Sequence, residues 1–238
     1  MGICLTLLVV LNIDAQSYVK KPGGLEYLGD KVTIDGVARE EGHGFYMVYI
    51  KSYNARLGHV MLEKLNPRSD VFPHIDFGQT PEEEEQEQKE LFYQGVDRSR
   101  DLAARPSAAP SETSDKISKE KRVEVKLQNI IGGSAEVALY LEMYDRLHPE
   151  ESLSKGHKIV ATGFINEMEY ILPVGGIKYK VWSAEEAGMD YFLSSRINYY
   201  EAKEHVGDEM TLVKVTTLEE LHDFFDNLPE KKINTANQ

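Results

Sequence analysis

Apolar positions along this chain come in short blocks, some repeating every second residue and some every third or fourth, with polar or Gly-bearing breaks between them. Lys21-Pro22-Gly23-Gly24 reads as a turn that closes an N-terminal tail. Residues 32–36 and 45–49 read as strands, and the polar Glu40-Glu41-Gly42-His43-Gly44 between them predicts a hairpin. Residues 53–65 are expected to form a short helix with Leu57, Met61, Leu62 and Leu65 on one face, ended by Pro67. From Thr80 the signal strengthens. Thr80 is a good N-cap, Pro81 suits the first helical position, and Glu82 and Glu83 complement the helix dipole. This helix is expected to reach about Ala104.

Residues 105–121 are rich in Pro, Ser and charge, the composition of a linker. Val123, Val125 and Leu127 then alternate as in a strand. Ser134 opens a helix with Val137, Ala138, Leu141, Met143 and Tyr144 at helical spacing. A strand over 159–165 is followed by a Pro-Val-Gly-Gly turn within 172–177 and a helix over 179–187 that ends at Gly188. Short strands are expected at 190–193 and 211–215, and Thr217-Leu218-Glu219-Glu220 starts a last helix with a capping box. No internal repeat is visible. Strands and helices mix without strict alternation, which indicates an α+β fold.

The length of 238 residues suits one domain with tails and a linker, and 41% apolar content supplies a core. Forty acidic against 27 basic residues leave a net charge of −13, which disfavours nucleic acid as a partner. The single Cys4 excludes an internal disulfide and a multi-cysteine zinc module. Seven scattered histidines show no metal-ligand spacing, and no cofactor motif is present. Residues 3–11 form the one strongly apolar run, about half of the roughly 20 residues a spanning helix needs. That run is read as a signal or anchor segment, although no basic residue precedes it; a buried first strand is the plainer reading.

Two local features carry candidate chemistry. Gly132-Gly133-Ser134-Ala135 is a Gly-rich turn leading into a helix, where a serine hydroxyl can lie beside unpaired backbone N–H groups. Serine is also a favoured helix cap, so the turn alone does not distinguish nucleophile from cap. Val174-Gly175-Gly176-Ile177-Lys178-Tyr179-Lys180 places two lysines two apart at a helix start, so one can face solvent while the other turns inward. A lysine serves as a base near neutral pH only where burial depresses its pKa.

Taken in order, these blocks resemble the proteolytic domain of the Lon peptidases, and within them the exported bacterial branch that normally carries a PDZ insert. Gly132-Gly133-Ser134-Ala135 stands at the family's nucleophile turn. Ala161-Thr162-Gly163-Phe164-Ile165 resembles its Thr-Gly strand, and Leu172 to Lys180 its Pro-Ile-Gly-Gly-x-x-x-Lys segment. Residues 187–193 resemble the following strand, with Asn198 and Glu201-Ala202 in the trailing segment; the leading part around Tyr18, Pro22 and Gly44 matches more loosely.

The resemblance implies the α+β Lon fold, related to the second domain of ribosomal protein S5. It implies Ser134 as nucleophile, Lys180 as general base, Lys178 as a bystander, Thr162 as the group that holds the Lys180 amine, and an oxyanion site near Gly133 and Ser134. It also implies an ATP-independent serine endopeptidase, needing no cofactor or metal, that acts on peptides or unfolded segments outside the membrane, either secreted or tethered. Self-association is implied too, since family members often form rings. The corresponding divisions are 1–17 (leader or anchor), 18–104 (first part of the domain), 105–122 (linker), 123–228 (catalytic core) and 229–238 (polar tail).

Neither a phosphate-binding G-x-x-x-x-G-K-[ST] motif nor a PDZ module is present, so no ATPase motor accompanies the domain. Two positions depart from the family. Gly133 replaces a Pro, and Glu136 replaces a Gly two residues after the serine. A carboxylate facing Lys180 would stabilise the ammonium and silence the base. The alternative reading is therefore a catalytically degenerate domain that serves binding or assembly.

Overall fold

The computed structural model describes residues 9–40, 42–74, 80–105, 121–127, 130, 132–149 and 152–231. After one helical turn at 9–11 come β1 (Asp14–Tyr27), β2 (Val32–Ile34), β3 (Gly44–Arg56), α1 (Leu57–Glu63) and β4 (Asp70–Pro73). α2 (Pro81–Ala103), β5 (Val123–Val125), a 3-10 turn (Gly133–Ala135) running into α3 (Glu136–Leu147), β6 (Lys158–Thr162), β7 (Phe164–Ile165) and β8 (Ile171–Leu172) follow. The chain continues through α4 (Ile177–Glu186), β9 (Tyr191–Ser195), α5 (Arg196–Lys203), β10 (Thr211–Val215) and α6 (Leu218–Asp226).

Six strands form one mixed sheet in the order β10-β9-β6-β3-β1-β4. β10, β9, β6 and β3 run parallel, whereas β1 is antiparallel to both β3 and β4. Alternation assigns the faces. Phe45 and Met47 of β3, Ile159 and Ala161 of β6 and Leu193 of β9 pack with α2, α3 and α6. Tyr46, Val48, Val160 and Phe192 point the other way, onto Ile177, Val181 and Ala184 of α4 and Ala202 of α5. Each fully buried side chain of this size stabilises the fold by roughly 1.5–3 kcal/mol, so both helix layers are firmly seated. The result is a mixed sheet with helices on both faces, compatible with the expected α+β class.

Three expectations are corrected. Residues 32–36 and 45–49 do not form a hairpin: β2 pairs with β5, and β3 takes β1 and β6 as partners. The cause is length, since the 13-residue β3 matches the 14-residue β1 along nearly its whole extent. Lys21-Pro22-Gly23-Gly24 is not a reversal but an irregularity inside β1, with a register shift between Pro22 and Gly24. Gly23 is required there, because a Cβ would lie 2.4 Å from the Tyr49 carbonyl oxygen. Residues 53–56 continue β3 instead of starting a helix, held by pairing such as Val19 with Tyr53 and Asp14 with Arg56, so α1 begins only at Leu57.

The start at Thr80 is observed as a full capping box, with Thr80 Oγ1 accepting from Glu83 N at 3.2 Å and Glu83 Oε2 accepting from Thr80 N at 2.8 Å. Most of the expected linker, 106–120, and most of the apolar run, 3–8, lie outside the described residues. β1 begins at Asp14, within the segment assigned to the leader.

Candidate active site

The Ser134 turn is fixed from two sides. Gly132 has φ +84° and donates its N–H to Gln88 O of α2 at 2.9 Å. Gly133 lies against Phe164, where a Cβ would fall 2.4 Å from the ring. The space that a side chain at position 133 would use is filled by Phe164. On the sheet side, the Ser134 carbonyl accepts from Thr162 Oγ1 at 3.0 Å and from Gly163 N at 3.1 Å. Ser134 itself is half-buried. Its hydroxyl is not a helix cap: the cap positions are Gly132 and Ala135, and neither helix start has a side-chain cap. Among the described residues the hydroxyl makes no hydrogen bond.

Lys180 reaches the same place from the opposite layer. Gly176, with φ +72°, opens α4, and Ile177, Val181 and Ala184 seat that helix on the sheet. Asn198 of α5 grips the preceding turn at both polar atoms of Val174, accepting from its N at 2.8 Å and donating to its O at 3.0 Å. Lys180 is consequently carried inward and is 2% exposed. Its Nζ donates to Thr162 Oγ1 at 2.9 Å. Burial pushes this amine down to about 7, and among the described residues no charged neighbour contributes. Lys178 points the other way, onto Asp70 Oδ2 at 2.5 Å, and that contact holds the Asp70 carboxyl below its usual range.

Thr162 therefore joins the two halves: its hydroxyl accepts from the amine and donates to the Ser134 backbone. A direct hydrogen bond between Ser134 Oγ and Lys180 Nζ is not formed. The site lies at the carboxyl ends of the parallel strands β6 and β9, where Thr162 sits beside Ser194, a common place for ligands in open sheets.

Glu136 does not face Lys180. It is 1% exposed and turns onto α2, where Arg98 Nη1 donates to its Oε1 at 3.2 Å and Ser99 Oγ donates to its backbone O at 2.9 Å. Burial raises its carboxyl pKa, with Arg98 and the Ile165 region opposing. The condition for quenching the base, a carboxylate facing Lys180, is not met here. Sequence reading noticed Asn198 only as part of a motif and missed Ser194 and Arg98. The signal for Ser194 was the pair of serines that closes an otherwise apolar strand; for Arg98 there was none, because its partner lies on another helix.

In chemical terms the arrangement offers a half-exposed hydroxyl with no hydrogen bond among the described residues, a neutral-capable amine linked through one threonine to the backbone carbonyl of the same serine, and the N-terminal N–H groups of a helix turn. Among the described residues, no group of three His, Cys, Asp or Glu side chains could hold a metal ion. Searches with this sequence against protein-family models and against curated proteins found no match.

Proposed function

We propose that the chain is an ATP-independent endopeptidase of the Lon-like type, using Ser134 and Lys180 on peptides or flexible segments. One observation carries the reading: Lys180 is a buried lysine with no carboxylate partner among the described residues, held by Thr162 against the turn that bears Ser134. Burying an unpaired amine is costly, and such a group is retained where its chemistry is used.

In this mechanism the neutral Lys180 amine takes the Ser134 proton as Oγ attacks the scissile carbonyl carbon. The oxyanion that forms is bound by N–H groups at the Gly133–Ala135 turn. The ammonium then returns the proton to the leaving amine as the peptide C–N bond breaks, and water hydrolyses the acyl-serine by the same exchange. Substrate binding has to turn Lys180 Nζ from Thr162 Oγ1 toward Ser134 Oγ; apo sites are commonly looser than loaded ones. The apolar run at 3–11 is assigned to export or tethering, with the domain outside the membrane. Among the described residues, no helix is long and apolar enough to cross one.

The missing direct hydrogen bond favours a second reading, a degenerate domain used for binding or assembly. Incubation with unstructured peptides separates the two. Cleavage that disappears in Ser134→Ala and in Lys180→Met supports the peptidase, and absence of cleavage by the unmodified chain supports the degenerate module.

A further inference from the structure

α1 is built inside out. Its one acid, Glu63, faces the sheet, where Lys21 Nζ sits 2.5 Å away, Tyr53 OH donates at 2.7 Å and Asn66 Nδ2 donates at 3.3 Å. The Lys21 contact leads these in holding the Glu63 carboxyl at about 2, and Ser69 Oγ also donates to the Glu63 backbone O at 2.7 Å. No residue of α1 is buried. Its apolar side chains point outward: Met61 is 64% exposed, Leu62 69% and the following Leu65 83%. Polar groups thus anchor the helix while its hydrophobic face is left to solvent, the reverse of ordinary amphipathic packing.

The patch extends beyond α1. Leu57 N donates to Ile13 O at 3.0 Å, and a Cβ on Gly58 would lie 3.1 Å from Leu11 O, so residues 9–13 run alongside. Val9, Val10 and Ile13 are exposed too, and the apolar residues 3–8 precede them in the chain. Around this surface the charge inverts. Lys51, Arg56 and Lys64 are exposed, and among the described residues none pairs with a carboxylate; Arg56 instead donates to Asn12 Oδ1 at 2.5 Å. In a chain with 40 acidic and 27 basic residues, 51–68 holds Lys51, Arg56, Lys64 and Arg68 against Glu63 alone.

We propose that α1 and residues 9–13 form a membrane-surface platform. The apolar side chains would enter the headgroup boundary of an anionic bilayer, and the basic rim would meet its phosphates. A second copy of the chain fits this face less well, because a two-fold interface would bring the same unpaired cations against each other. The acidic remainder of the molecule is repelled by the same lipid, which fixes the orientation with α1 toward the membrane. This inference does not rest on the peptidase reading.

The test is co-sedimentation of the full chain with vesicles of phosphatidylcholine, with and without phosphatidylglycerol. Binding is expected only with phosphatidylglycerol and should weaken as salt rises. Leu62→Glu with Leu65→Glu should reduce it at least about tenfold, and Arg56→Ala with Lys64→Ala by a similar factor at low salt. All four positions are exposed, so circular dichroism should stay unchanged. No binding to either vesicle overturns the proposal. So does binding that both double variants leave intact, which would assign it to residues 3–8 alone. A sedimentation coefficient that falls from dimer to monomer in Leu62→Glu also overturns it, in favour of a second copy.

Discussion

Lys180 exists in the fold at a cost that can be measured. Its ordinary value is 10.5 and burial lowers it to about 7, so between these values the unfolded chain holds a proton that the folded chain has released. Stability therefore rises with pH across that window, and the penalty is complete below it. Lys180→Met should stabilise the protein below pH 7 by on the order of 3–5 kcal/mol, and the gain should vanish above the unfolded value. Thermal unfolding across pH checks this; a destabilised variant at every pH would show that the amine is structurally satisfied. Thr162→Val removes the group that accepts from Lys180 and donates to Ser134, and should lower peptide turnover about 10²-fold with KM little changed. Thr162→Ser should restore most of it. Gly133→Ala forces a Cβ to within 2.4 Å of the Phe164 ring and should destabilise by roughly 1–3 kcal/mol. Combining it with Phe164→Ala should recover much of the loss, a coupling that equilibrium unfolding of the single and double variants measures. The burial of Lys180 beside a partly exposed Lys178 was legible from their two-residue spacing at a helix start. The orientation of Glu136 was not, because it depends on Arg98 and Ser99 arriving from a separate helix.

Among the elements, α3 has the least ordinary inner face. Beside Glu136 it buries Glu142 and Asp145, the latter accepting from Arg39 Nη1 at 2.6 Å and from Leu153 N at 2.6 Å. Burial raises Glu142 to about 7, opposed first by Arg39 at 3.9 Å, reinforced by Asp145 and opposed again by Arg146, also at 3.9 Å. Here the folded chain retains a proton that the unfolded chain loses between the carboxylate range and pH 7, so stability falls as pH rises through that window. Glu142→Gln should be close to neutral at pH 4 and stabilising by on the order of 2–3 kcal/mol at pH 8, as denaturant titration at the two pH values would show. Element starts such as Thr80 and Thr217 were readable because capping is local. The lengths of β1 and β3 were not: Pro22 and the two glycines after it signal a turn, and only the long antiparallel partner turns them into a bulge. The charged interior of α3 was hidden for a similar reason, since Arg39, which lies over Glu142 and Asp145, is far from them in the sequence.

At the scale of the whole molecule, a mixed sheet between two helix layers brings the Ser134 turn and Lys180 to Thr162 from opposite sides at the carboxyl end of β6. One layer supplies the turn with its N–H groups, the other supplies the amine, and Thr162 at the strand end touches both. The mixture of helices and strands was visible in the sequence, whereas the placing of helices on both faces of the sheet was not. Strand order was not, because pairing partners far apart in sequence leave no local mark. The central claim is that Lys180 activates Ser134, and it is tested most directly by a serine-directed fluorophosphonate, with the labelled residue identified by intact and peptide mass. Ser134 should be labelled at a rate that rises through about pH 7 as the amine loses its proton, and Lys180→Met should abolish that labelling. Labelling that Lys180→Met leaves unchanged, or none on Ser134 at any pH, would contradict it.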